Sequence, residues 1–268
     1  MNLKNILCGL FLFAWLMGPL PSPVRASEYH GPNAPGIAID IGHSKAKFGA
    51  VSARGVGEYW FNEQFARLLL AELHARGLKN AFIVETRGRD VDLIERAKIA
   101  NQRKPALLLS IHHDSVQPHY LSAWEYQGQE RQYSDHFEGF SLFVSYKRPD
   151  PHQSLALARL IGAELISHGF SPTMHHAENI PGESRELLDE PLGIYRFDDL
   201  IILKYSASPA VLFECGILVN RKEEAMLTNP KRRGKMVQCL ADAIDSYLGT
   251  LVPNGQDDLI YDLKKCIW

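Results

Sequence analysis

The apolar run Ile37-Ala38-Ile39-Asp40-Ile41, closed by Gly42, predicts a short strand buried on both faces. From Glu58 to Ala75 the pattern changes. Phe61, Phe65, Leu68, Leu69 and Leu73 recur at helical spacing, and Gly77 supplies a stop. Ala81 to Val84 predicts a second strand, and Val91, Ile94, Ala97 and Ile99 a second helix. Pro105 then precedes an apolar strand from Ala106 to Ile111. Further strands are predicted near Ser141 to Tyr146, at Leu200 to Leu203 and at Ala210 to Phe213, with helices at Ser154 to Ser167 and near Gln238 to Leu251. Continuous apolar strands alternating with helices predict a single α/β domain. Its sheet is mostly parallel and twisted, with helices on both faces.

Two stretches break the alternation, 116–139 and 171–196. Connections this long usually carry function, so both are candidate lids or substrate walls. The first holds His119, Tyr120, Trp124, Tyr126, Tyr133, His136 and Phe137. Aromatic rings of this kind can pack on the apolar faces of sugars, and a substrate-cleft wall is expected there. The second gathers Glu178, Glu183, Glu186, Asp189 and Glu190 around Pro181-Gly182, and Ser184 to Glu190 is long enough for two helical turns.

The N-terminus changes the picture of length and charge. Lys4 is followed by an apolar run from Ile6 to Leu20, then Pro21, Pro23 and Val24-Arg25-Ala26, the pattern of a secretory signal peptide with cleavage after Ala26. The run is too short and too interrupted by Gly9 and Gly18 for a spanning helix. The expected organisation is a signal peptide over 1–26, a linker over 27–36, a catalytic domain over 37–252 and a C-terminal tail over 253–268. Cleavage leaves no stable membrane anchor. It also removes Lys4 and Arg25, which takes the 29 basic side chains of the 268-residue chain to 27 against 31 acidic ones. The formal net charge moves from -2 to -4, which gives no general electrostatic reason to bind nucleic acid or an anionic surface. Cys215, Cys239 and Cys266 remain, too few for a disulfide framework.

In open α/β sheets ligands bind beyond the carboxyl ends of the strands. The residues that fall there are His43, the helix-opening Glu58, His112-His113-Asp114 and Glu214. Two histidines and a carboxylate from separate element ends make the donor set of a catalytic zinc site with a position left open, and Glu214 is then left over as a base. Adjacent side chains on a strand point to opposite faces, so His112 and His113 are alternatives for one ligand position. Asp40 and Asp114 are candidates for orienting a ligand histidine, or for capping strand ends. There is no Gly-x-Ser-x-Gly elbow, no phosphate-cradling Gly-Lys-Ser/Thr loop and no Cys-x-x-Cys pair.

Whole segments carry a resemblance. Asp40, Gly42, His43, Gly49 and Ala50, then Glu58 with Asn62, Thr86-Arg87, Leu93, Arg96, Asn101, Ser110-Ile111-His112 and Pro209 to Asn220 follow in order. This series resembles the zinc-dependent N-acetylmuramoyl-L-alanine amidases of the Amidase_3 type. It covers roughly residues 37 to 250. Departures are Ile41 for the usual Pro, Ser44-Lys45 for Gly-Gly, and His113-Asp114 for Ala-Asn.

The resemblance implies that His43, Glu58 and His112 ligate one zinc ion per chain and that Glu214 is the catalytic carboxylate. It implies peptidoglycan as substrate, cut between N-acetylmuramic acid and L-alanine. With the leader it implies secretion across the inner membrane to the periplasm. Some relatives carry an insertion that a partner protein moves off the metal. By that likeness, segment 171–196 is a candidate switch that places a carboxylate at the open metal position, with an activator protein acting on it. Two other functions suit part of the pattern: a zinc peptidase or carboxypeptidase, and a non-catalytic wall-binding protein.

Overall fold

The computed structural model describes residues 35–251. The expected signal peptide, most of the linker and the C-terminal tail lie outside the described residues. In chain order the elements are β1 (Ile37–Ile41), α1 (Glu58–Ala75), β2 (Ala81–Ile83), α2 (Leu93–Gln102), β3 (Leu107–Asp114), β4 (Ser122–Tyr126), β5 (Gln129–Tyr133), β6 (Ser141–Val144), α3 (Pro151–Ser167), β7 (Glu186–Asp189), β8 (Ile194–Arg196), α4 (Ile201–Lys204), β9 (Ala210–Ile217), α5 (Arg221–Thr228) and α6 (Pro230–Thr250). Seven strands form one sheet in the order β2-β1-β3-β9-β6-β8-β7, and β4-β5 is a separate hairpin.

Strands β2, β1, β3 and β9 run parallel. Their carboxyl ends therefore meet along one edge, which is where the predicted site residues fall. Strand β6 enters antiparallel to β9, β8 runs parallel to β6, and β7 closes the sheet antiparallel to β8. The sheet is thus mostly parallel, with helices on both faces, as the alternation predicts.

Period-two alternation along β1, β3 and β9 sorts the side chains. Ile37, Ile39, Leu107, Leu109, Ile111, Val211 and Phe213 pack under α1, α3 and α6, with Phe65, Leu69, Ile161 and Leu240 all fully buried. The alternate residues Ala38, Leu108, Ala210 and Leu212 face α2 and α4. Each large apolar side chain so buried contributes roughly 1.5–3 kcal/mol relative to exposure.

Several elements differ from the sequence reading. Leu200 to Leu203 is not a strand: α4 covers the sheet with Ile202 and Leu203 buried. A four-residue apolar run carries no period that separates the two forms. Ser184 to Glu190 is not helical, because β7 pairs with β8 as an edge strand. The last helix starts at Pro230, capped by the Asn229 side chain on Lys231 N and Arg232 N, and the preceding α5 is capped in the same way by Asn220. Basic residues from Lys231 to Lys235 hide that helix's apolar period in the sequence. Cys215 and Cys239 are buried free thiols. Among the described residues no helix is long and apolar enough to cross a membrane.

The turn after β1 is fixed by a buried guanidinium. Arg96 of α2 donates to the carbonyls of Ile41 (2.6 Å), Val91 (3.1 Å) and His43, and lies 3.5 Å from Asp40. Asp40 also accepts from Ser110 Oγ at 2.8 Å. Without Arg96 the Asp40 charge and three carbonyls lose their partner in the interior. Arg96→Met is expected to cost about 3–5 kcal/mol in denaturant unfolding, and Arg96→Lys should not restore it because one ammonium cannot span the same acceptors. A loss under about 1 kcal/mol would contradict this role.

Candidate functional site

His43 sits in the left-handed region at φ 66, a conformation that costs a non-glycine residue about 1–3 kcal/mol. Arg96 holds its carbonyl there, and the ring then faces α1. Glu58 is the first residue of α1, tied to the preceding loop by Glu58 N to Ala50 O (2.8 Å) and Ala50 N to Glu58 Oε2 (3.1 Å). His43 Nε2 lies 2.9 Å from Glu58 Oε2, and His112 Nδ1 lies 3.0 Å from Glu58 Oε1. Asn62 Nδ2 and His113 N also donate to Oε1, at 3.0 and 3.2 Å. Burial works to raise the Glu58 pKa. The hydrogen bonds from His112 and His43 outweigh it and hold the carboxylate well below its usual range.

The two glycines of the opening motif earn their place by close approach. A Cβ on Gly42 would overlap the His112 ring, and one on Gly49, at φ 77, would overlap the Glu58 carboxylate and the His43 ring.

Adjacent histidines on β3 part company. His112 faces the loop after β1, whereas His113 is buried among Phe61 and Phe65 with Nδ1 on Asn62 Oδ1 at 2.8 Å. Burial pushes the His113 pKa down to about 3, so the ring is neutral. Donor atoms of His43, Glu58 and His112 all lie within 4.8 Å of one another. Two imidazole nitrogens and an ionised carboxylate make a donor set that fits zinc.

Glu214 pairs in register with His112 on the neighbouring strand. Its Oε2 is buried and has no hydrogen-bond partner. Burial first, then the negative charges of Asp114 and Glu58, raise its pKa well above the ordinary carboxylate value. The carboxyl group is therefore poised to hold and release a proton.

Asp40 serves the Arg96 clamp and does not touch a site histidine. Asp114 likewise turns away from His112: its Oδ2 lies 2.7 Å from His176 Nε2 and 3.3 Å from His175 Nε2. Burial opposes ionisation of Asp114, but the His176 charge wins and lowers its pKa. Burial likewise lowers the His176 pKa, and Asp114 and Glu183 overcome it to bring the group to about 9. The His175-His176 pair was not among the sequence candidates. Its signal was two consecutive histidines in an unexplained long connection.

Four of the five carboxylates named in segment 171–196 are engaged away from the His43–Glu58–His112 cluster. Glu178 accepts from Tyr120, Glu183 from Gln117 and His176, Glu186 from Arg196, and Asp189 from Arg159. The aromatics of the first long connection are partly engaged with one another and partly line a cavity of about 320 Å³, to which Tyr120, Tyr133 and His136 contribute. Trp124 stacks on Tyr126 and donates to Ala53 O, while the Arg221 guanidinium covers Tyr133 at 3.7 Å. Cavities of about 360 and about 250 Å³ flank the site itself. The first reaches His43 and His112, the second Asp114, His176 and Glu214, and Leu200 and Leu212 line both.

The sequence profile of the Amidase_3 family, described as N-acetylmuramoyl-L-alanine amidase, matches residues 37–246. The chain belongs to the N-acetylmuramoyl-L-alanine amidase family. No curated protein sequence matches it. Solved amidases share the fold. The amidase Ami1 from Mycobacterium smegmatis superposes with a TM-score of 0.64 at 20% identity, over 83% of this chain and 99% of that one. The catalytic domain of CwlV from Bacillus (Paenibacillus) polymyxa gives 0.61 at 24% identity, over 80% and 98%. The CwlD amidase from Clostridioides difficile, solved in complex with the GerS lipoprotein, gives 0.56 at 18% identity, over 81% and 99%. The amidase class read from the motifs and the α/β architecture read from the alternation of strands and helices both stand.

The glycine contacts give a direct test of how tightly this amidase site is built. Gly49→Ala combines overlap with a strained φ, and should lower the melting temperature by more than the same change at Gly128, where the added Cβ meets nothing within 4 Å. Gly128 also has positive φ, at 72, so the comparison isolates the overlap. Equal shifts by calorimetry would contradict the close approach.

Proposed function

We propose that the chain hydrolyses the amide bond between N-acetylmuramic acid and L-alanine in peptidoglycan, with one zinc ion held at this site by His43, Glu58 and His112. The observation that carries the reading is the unpartnered Glu214 Oε2 in register beside His112. Zinc bound there supplies Lewis acidity toward an amide carbonyl and toward water. The remaining steps belong to side chains.

Asn62 and the Ala50 amide hold the Glu58 carboxylate in place as a ligand. Asn62 also bonds His113, which leaves the neighbouring His112 as the β3 ligand. Glu214 Oε2 takes the proton of the attacking water and returns it to the departing amine nitrogen of L-alanine. Its raised pKa makes Glu214 a stronger base for the first transfer, and the positive charge of a bound zinc ion would lower that pKa and favour the second. The cavities on either side of Leu212 give the sugar-lactyl and peptide arms separate places to lie.

The N-terminal pattern supports delivery to the periplasm, where this substrate is found. A protein partner for segment 171–196 is part of the reading, supported by the lipoprotein bound to the CwlD amidase of the same fold. A carboxylate plug over the metal has less support, since Glu178, Glu183, Glu186 and Asp189 are bonded elsewhere.

Glu214→Gln should retain zinc and lower kcat by about 10²- to 10⁴-fold. Mass spectrometry of sacculi digested with zinc-loaded wild type should show free stem peptides beginning with L-alanine, which a peptidase would not release. Normal turnover in the variant would remove Glu214 from its role, and products cut within the stem would replace the amidase reading with the peptidase one.

A further inference from the structure

A second cluster of donors lies on the other side of Glu214. His175 and His176 occupy a helical turn of segment 171–196, and their Nε2 atoms converge on the Oδ2 of Asp114, the last residue of β3. The far nitrogen of each ring is held from behind: His176 Nδ1 by Glu183 Oε2 at 2.8 Å, and His175 Nδ1 by Thr173 Oγ1 at 2.9 Å. Gln117 in turn holds Glu183 at 2.7 Å. Both imidazoles are thus fixed in orientation by outer partners, the arrangement that prepares a histidine to ligate metal.

An ion pair between His176 and Asp114 accounts for only one of the two rings. His175 is 2% exposed, and its Nε2 is buried without a directed hydrogen bond although it lies 3.3 Å from the same carboxylate oxygen. A cation in the shared space answers both nitrogens at once. The three donors lie within 4.8 Å of one another, the same bound that His43, Glu58 and His112 meet. An approach exists as well: the cavity of about 250 Å³ is lined by Asp114, His176, Glu183 and Glu214.

We propose that Asp114, His175 and His176 form a second divalent transition-metal site, separate from the His43–Glu58–His112 site. Two imidazoles and one carboxylate suit zinc, and disfavour magnesium and calcium, which take oxygen ligands. An ion here cross-links segment 171–196 to β3 two residues beyond His112. It is a tether for the segment and stands independently of the reaction proposed above.

The test is the zinc content of the full chain, stripped with chelator, equilibrated with buffered zinc and measured by mass spectrometry of the metal. The unsubstituted chain should hold about two zinc ions, and both the His175→Ala/His176→Ala variant and the His43→Ala variant about one. X-ray absorption of the zinc kept by His43→Ala should show imidazole ligands. If circular dichroism shows the double variant unfolded, Asp114→Asn, which preserves the side-chain shape, should give the same drop. One zinc per unsubstituted chain, lost in His43→Ala and kept in the double variant, overturns the proposal. Full zinc in His43→Ala with loss in the double variant would uphold it and instead count against the first site.

Discussion

A carboxylate sealed from water at the first residue of α1 holds the amidase site together. Glu58 receives His43 and Ala50 on one oxygen and Asn62, His112 and the His113 amide on the other. A buried charge persists only when it is so completely answered. Because the partners come from the loop after β1, from α1 and from the end of β3, satisfying this one group fixes three chain segments against each other. The glycines at 42 and 49 follow from the same constraint, since segments drawn this close leave no room for a Cβ.

The sheet supplies the rest by alternation. On β3 and β9, His112 and Glu214 share a face and a register, while His113 falls to the other face and becomes part of the apolar layer under α1. Glu214 is buried, and it stands between two anionic groups, Asp114 and Glu58; burial first and then those charges raise its pKa. Its acidity is accordingly sensitive to any positive charge arriving on either side.

Much of this was legible in the sequence. The strand Ile37 to Ile41 and the helix Glu58 to Ala75 appear with the predicted bounds, because a continuous apolar run and an eighteen-residue helical period are strong local signals. His43, His112 and Glu214 were candidates because they fall at or just past strand ends and Glu58 because it opens a helix, and the structure brings these four side chains together. Between His112 and His113 the residues alone left the choice open and the resemblance favoured His112; the fold turns the two rings to opposite faces of β3. Segment 200–203 was too short for its period to speak, and strand β7 exists only through its pairing with β8, a contact no local pattern encodes. The His175-His176 pair stayed hidden for a related reason: its partner Asp114 lies 61 positions earlier than His175 in the chain.

Placing β7 and β8 in the central sheet limits how segment 171–196 can move. Its start is anchored by Phe140 N to Ser171 O and Thr173 N to Phe140 O, and its end by the β8 ladder to β6. Lifting the whole segment would break the main-chain ladders that join β7 to β8 and β8 to β6. Rearrangement short of unfolding is therefore confined to the dozen or so residues from Met174 to Arg185, a span that carries both histidines and Glu183. The segment behaves as a loop pinned at two ends with a polar knot in its middle, so whatever loosens that knot, and nothing larger, governs the shape of the cleft beside Glu214.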